Sequence, residues 1–220
     1  MISFHRWAKT FLFLLVYIIS GFALVLIIDG LMTGTELTPF NTTIEAAILH
    51  IRAPWLTPIM VWVTNVGGPM TLTIAAIVLV VILLLRGETY DALLYIVSMS
   101  VGMIALIVMK DTFQMARPDA VLIGISGWSF PSGHATMATT FFFTTAYSFF
   151  DWVETFWGKV LLVGGSVFGA GLISFSRIYL GAHWSLDILA GMALGLLTVS
   201  FSALVFNIFL EETRPKRRKA

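Results

Sequence analysis

The chain has 220 residues, of which 58% are hydrophobic and 11% charged, and its 13 Lys and Arg against 12 Asp and Glu give a formal net charge of +1. An ordinary soluble domain carries roughly 25% charged residues, so the composition excludes one and makes the bilayer the expected solvent. The lack of cysteine excludes disulfides, cysteine-ligated zinc, iron–sulfur clusters and cysteine nucleophiles.

A membrane helix needs about 20 apolar residues to cross a hydrocarbon core of roughly 30 Å. Charge-free runs of that order predict six spans, at 10–28, 67–85, 92–109, 133–150, 160–176 and 188–210. The third and fifth are short and should continue into their polar flanks. Arg6 and Lys9 ahead of the first run resemble the start of a signal peptide, but the run is long and no A-x-A-like cleavage site follows, so an uncleaved span is expected.

Residues 29–52 read as a polar external segment in which Asn41-Thr42-Thr43 formally fits a glycosylation acceptor, a pattern short enough to arise by chance. The charge-free stretch 53–85 is too long for one straight span and is punctuated by Pro54, Pro58, Gly67, Gly68 and Pro69. Its first part, 55–66, reads as an interfacial or re-entrant piece with Trp55 and Trp62 at headgroup depth. A seventh crossing there would put the two basic termini on opposite sides. With six spans, Arg6, Lys9, Arg86, Lys159 and the tail residues Arg214, Lys216, Arg217, Arg218 and Lys219 share one side, against Arg52, Lys110, Arg117 and Arg177 on the other. The positive-inside rule then places both termini in the cytoplasm.

The basic tail, 211–220, suits cytoplasm or lipid headgroups rather than nucleic acid, because no basic face with interleaved aromatics accompanies it. Gly165 and Gly169 in span five, and Gly191 and Gly195 in span six, have the spacing that lets two helices approach closely. A contact between those two spans is weighed against the general abundance of glycine in membrane helices. With no internal repeat and only short connections, residues 1–220 read as a single all-α bundle.

Polar residues gather at the span ends on the predicted outer side, in 110–118, 131–134 and 176–187. Lys110 and Arg117 are seven apart, about two helical turns, so on a continuous helix they share a face and converge on a multiply charged anion. Pro131-Ser132-Gly133 at a helix start offers free backbone N–H groups and a hydroxyl, and Arg177 adds a planar fork for a phosphate. His183 and Asp187 are stacked four apart if the last helix begins near His183. The carboxylate then holds Nδ1–H and leaves Nε2 as a nucleophile. His134 can serve as the acid that protonates a leaving group. His5 and His50 stand outside these clusters and read as interfacial residues, and Asp111 and Asp119 as solvated loop charges.

These three segments resemble the signature of the type 2 phosphatidic acid phosphatase superfamily, the lipid phosphate phosphatases: K-x6-R-P at Lys110 to Pro118, P-S-G-H at Pro131 to His134, and S-R-x5-H-x3-D at Ser176 to Asp187. The match covers roughly residues 90–200, the expected catalytic core. The resemblance implies a six-helix membrane enzyme, working without metal or other cofactor through a phosphohistidine on His183, with Asp187 orienting it and His134 as general acid. Lys110, Arg117, Ser132, Gly133 and Arg177 would hold the phosphate oxygens. The expected substrate is a lipid (di)phosphate such as undecaprenyl diphosphate, phosphatidylglycerol phosphate or phosphatidic acid, hydrolysed at the outer face of a bacterial inner membrane.

Three alternatives are weighed against hydrolysis. A vanadate-dependent haloperoxidase shares the motifs but not the bilayer composition. A non-catalytic lipid-binding protein would have lost a histidine, and both are present. A lipid phosphotransferase would pass the phosphoryl group to an acceptor other than water.

Overall fold

The computed structural model describes residues 4–34 and 37–210, and every regular element among them is an α-helix. In chain order these are α1 (Phe4–Thr33), α2 (Leu37–Ile51), α3 (Leu56–Val66), α4 (Pro69–Leu85), α5 (Thr89–Phe113), α6 (Gly133–Phe149), α7 (Phe156–Tyr179) and α8 (Ser185–Phe209). The basic tail and the side chains of His5 and Arg6 lie outside the described residues. By length and apolarity α1, α5, α7 and α8 can each cross a membrane, and α3 with α4, bent by 47° at their junction, can do so as a pair.

Local chemistry accounts for the boundaries. Pro69 opens α4 where its missing N–H costs nothing, after Gly68 in extended conformation. Ser132 caps α6 by accepting the Ala135 N–H (3.4 Å), and Thr155 caps α7 by accepting that of Gly158 (3.1 Å). At the start of α8 the Asp187 carboxylate reaches back to the Trp184 N–H (2.9 Å). Gln114 ends α5 in a left-handed conformation, φ 46°.

The core is built around α6 and α8. Thr136, Met137, Ala138, Thr139 and Thr140 of α6 are completely buried, and α8 is buried over most of its length. Small side chains make this possible. A Cβ on Gly191 would fall 2.7 Å from the Ser132 carbonyl oxygen, and one on Gly195 2.7 Å from Thr139 Cβ. Gly169 of α7 meets the Phe142 ring of α6, and Gly165 faces open space. The glycine spacings therefore do not join α7 to α8, and of the two readings weighed the general abundance of glycine holds for that pair. Both helices close on α6, α8 against its Thr and Ala side chains and α7 against the Phe142 ring.

The outer segment also departs from the sequence reading. Most of 29–52 is helical, α1 running on to Thr33 and α2 filling Leu37–Ile51. Asn41, the formal glycosylation acceptor, is buried at 8% exposure with its carboxamide oxygen accepting the Leu186 N–H (3.0 Å), so it ties α2 to the start of α8.

Candidate active site

The ends of α5 and α7 and the beginnings of α6 and α8 meet at one end of the bundle, and every site residue expected from the sequence lies there. Lys110, in the last turn of α5, donates from Nζ to the carbonyls of Trp128 (2.7 Å) and Ser129 (3.3 Å). The left-handed Gln114 ends the helix before Arg117, so the two cations do not share a helix face as their spacing suggested. Arg117 arrives on the loop instead, which wraps it. Nε donates to Gly127 O (2.9 Å), Nη2 to Ser126 O (3.3 Å) and Trp128 O (3.1 Å), and Nη1 to Ala182 O (2.6 Å). Lys110 and Arg117 converge nonetheless, both on the Trp128 carbonyl.

His183 precedes α8 rather than lying on it, and Asp187 is the third residue of that helix. Their expected pairing survives, with Nδ1 3.4 Å from Asp187 Oδ2 and Nε2 3.3 Å from Arg117 Nη1. His183 is only 4% exposed. Burial pushes its pKa down to about 4, helped by the charges of Arg117 and Arg177 and opposed by Asp187. The imidazole is therefore neutral near pH 7, which a nitrogen nucleophile requires.

Arg177, 3% exposed at the end of α7, donates from Nη1 to Thr64 Oγ1 (2.7 Å), while its Nε is buried without an acceptor. His134, in the first turn of α6, lies within hydrogen-bonding reach of the Thr64 backbone and within electrostatic range of Arg177, His183 and Arg117. Ser132 is more committed than its motif suggested. Its N–H donates to Asp187 O (3.0 Å) and its Oγ accepts the capping bond, which leaves the hydroxyl proton for a ligand. The Gly133 and His134 N–H groups, in the first turn, have no partner within the helix. The resulting array of three cations, helix-start donors and a neutral imidazole fits a tetrahedral oxyanion.

Sequence reasoning missed three supports. Ser129, fully buried just ahead of the P-S-G-H run, donates from Oγ to Asp187 Oδ2 and lies 3.4 Å from His183 Nδ1. Thr64, in the stretch read as interfacial or re-entrant, touches Arg177. Arg52 donates from Nε to Tyr179 O (2.9 Å) and from Nη2 to Ala120 O (3.0 Å), joining the loop that carries Arg117 to the end of α7. A hydroxyl two residues before the motif was the one available signal for Ser129, and nothing local marked Thr64 or Arg52. Asp119 is exposed on a loop, as read, whereas Asp111 is exposed but lies within α5 rather than on a loop, and His50 is exposed too.

A helical bundle of membrane-crossing length whose buried end gathers cations around a histidine defines a class, membrane proteins with a site for a phosphate-like anion. The sequence model of the PAP2 superfamily matches residues 91–211, and the chain belongs to that superfamily. It is 29% identical over 183 residues, 81% of this chain and 89% of the relative, to phosphatidylglycerophosphatase B of Bacillus subtilis. It is also 24% identical over 222 residues, 99% of this chain and 97% of the relative, to an undecaprenyl-diphosphatase of Sulfolobus acidocaldarius. The crystal structure of a transmembrane PAP2-type phosphatidylglycerolphosphate phosphatase from Bacillus subtilis superposes with a TM-score of 0.70 at 23% identity, covering 98% of this chain and 100% of that one. The protein is an integral membrane phosphatase of this superfamily.

Proposed function

We propose that the protein hydrolyses the terminal phosphate of a lipid (di)phosphate through a phosphohistidine on His183. The observation that carries this reading is the His183 imidazole, buried and neutral, with Nδ1 toward Asp187 and Nε2 toward the Arg117 guanidinium. Nε2 attacks phosphorus in line, the N–P bond forms as the P–O bond to the leaving group breaks, and His134 gives that oxygen its proton. An arriving phosphate raises the basicity of His134 and lets it carry the proton. Water, deprotonated by His134, then cleaves the N–P bond and releases inorganic phosphate. Lys110, Arg117 and Arg177, with the Ser132 hydroxyl and the Gly133 N–H, hold the equatorial oxygens and stabilise their charge.

The topology that fits this chemistry has six crossings, α1, α4, α5, α6, α7 and α8, within a single domain. α4, α6 and α8 start at the site and α5 and α7 end there, while Lys9 near the start of α1 pairs with Asp151 just beyond the end of α6. The start of α1 and the end of α8 then lie on the side opposite the site, and the cation distribution supports the cytoplasm of a bacterial inner membrane for that side. α3 supports the interfacial or re-entrant reading. It touches Tyr179 through Thr57, Arg177 through Thr64, and Ile173 through the adjacent Gly67, so its length of 11 residues descends past only about two turns of α7.

The names of the relatives support undecaprenyl diphosphate and phosphatidylglycerol phosphate as first substrates to test, beside phosphatidic acid. Side-by-side phosphate release from these three lipids in detergent, by wild type and His183→Ala, tests the reading. Turnover of at least one lipid that disappears in a folded His183→Ala protein supports it, and full turnover in that variant sinks it. Activity should persist in a strong chelator and be inhibited competitively by vanadate.

A further inference from the structure

Along α3 and the residue before it, Trp55, Ile59, Trp62 and Val66 recur at helical spacing and are exposed, while Met60, Val63 and Thr64 form the buried face. That buried face is seated on α7 at both ends. Tyr179 Oη accepts the Ala53 N–H (2.9 Å) and meets Thr57 Oγ1 (3.2 Å), and a Cβ on Gly67 would fall 2.4 Å from Ile173 Cγ1. Thr64, 2% exposed, is thereby set between two residues of the site. Its hydroxyl accepts from Arg177 Nη1 (2.7 Å), and its backbone lies within hydrogen-bonding reach of the His134 ring.

The way α3 ends frees the Thr64 carbonyl for that second contact. The Gly67 N–H goes to Val63 O (2.9 Å) and the Gly68 N–H to Asn65 O (3.3 Å), so the closing turn passes Thr64 O by. Each contact has a chemical consequence. A neutral hydroxyl holds one arm of the Arg177 fork without cancelling its charge, and the Nε of that fork is buried with no acceptor, so the guanidinium keeps both a donor and its field for an anion. A carbonyl can only accept. The His134 nitrogen that faces Thr64 therefore keeps its proton, and the opposite ring nitrogen is the one that takes and gives the transferred proton.

We propose that Thr64 is a positioning residue of the phosphate site, its hydroxyl aiming the Arg177 guanidinium at the phosphate and its carbonyl fixing which His134 nitrogen moves the proton. The role rests on the lipid phosphatase reading above and adds α3 to the helices that build the site. Thr64 acts through Arg177 and His134 and not on the substrate itself.

The test reads anion affinity apart from turnover, on the purified full chain. Vanadate binding, measured by isothermal titration calorimetry, should weaken about tenfold in Thr64→Val, which keeps the shape and removes the hydroxyl. It should stay within about twofold of wild type in Thr64→Ser, which keeps the hydroxyl. In an Arg177→Ala background Thr64→Val should add less than about twofold, because the hydroxyl acts through that side chain. Thr57→Val removes the hydroxyl that α3 offers to Tyr179 and should leave vanadate affinity within about twofold, which separates the seating of α3 from the aiming of Arg177. If Thr64→Val does not fold, Thr64→Ala gives the same comparison. For the carbonyl, nitrogen NMR of isotope-labelled histidine should show the His134 ring, assigned by its loss in His134→Gln, in one tautomer in both wild type and Thr64→Val. A Thr64→Val protein that binds vanadate as wild type does overturns the proposal. So does an equal loss in Thr57→Val, a full tenfold loss in the Arg177→Ala background, or a His134 ring divided between tautomers. The expected affinities in a wild type that releases phosphate from no lipid phosphate would support the positioning role and overturn the phosphatase reading instead.

Discussion

The two ends of the bundle treat their cations in opposite ways. At the histidine end, Lys110 and Arg117 are held by backbone carbonyls, those of Ser126, Gly127, Trp128, Ser129 and Ala182, and the carboxylate nearby, Asp187, is taken up by Ser129, Trp184 and His183. At the other end Lys9 is met directly by both oxygens of Asp151, at 3.2 and 3.0 Å. A carbonyl fixes a cation without cancelling its charge, so the field at the histidine end remains available to an incoming phosphate. A carboxylate partner neutralises most of it. The difference separates a site whose charge can meet a multiply charged anion from an ion pair that serves packing.

The largest effect that can break this contrast is expected at His183, the proposed nucleophile. His183→Ala should reduce phosphate release by roughly 10⁴-fold or more with little change in thermal unfolding, and stopped assays on purified protein measure both. Next comes the carbonyl-held charge. Arg117→Lys keeps one positive charge but loses the fork that reaches Gly127, Trp128 and Ala182, and should cost about 10²-fold in kcat/KM. An unchanged kcat/KM would mean that charge alone matters there.

Ser129→Ala removes one donor to Asp187 and makes that carboxylate a stronger base, so the His183 pKa should rise and the acid limb of the kcat/KM profile should move to higher pH, with kcat down about tenfold. In wild type the His183 pKa of about 4 lies below the ordinary value of 6.5, so the unfolded state binds more protons than the folded state between those values. Stability from this group is complete above about pH 6.5, is lost as pH falls toward 4, and changes no further below it. Unfolding midpoints from pH 3 to 8, wild type against His183→Gln, would show a difference that narrows on acidification. The smallest effect belongs to the other end. Lys9→Ala should alter stability by less than about 1 kcal/mol, because exposed pairs contribute little, and should leave turnover unchanged.

That the candidate site residues meet was largely legible in the sequence, because they are carried by short segments at helix ends. Lys110, Arg117, Ser132, Gly133, His134, Arg177, His183 and Asp187 all meet at one end of the bundle. The geometry behind that meeting was less legible. Lys110 and Arg117 converge through a left-handed residue and a returning loop rather than along one helix face, and the Ser132 N–H is already bonded to Asp187. Span 133–150 matched α6 to within a residue, since Ser132 marks its start. α2 went unread because its polar residues hid a helix that is stabilised by packing on α8, α1 and α7.

By itself the sequence determined the solvent, the helical class and which polar segments are candidates for the site. Each follows from composition, from apolar runs of membrane length, or from residues close enough along the chain to form a motif. Tertiary structure alone decided how the charges are used. Thr64, Ser129 and Arg52 reach Arg177, Asp187 and the end of α7 from distant segments, and no local pattern encodes an interaction whose partner is set by the packing of other helices. The same holds for the glycines of α8, which face α6 because its small side chains, and not those of α7, leave room for the close approach.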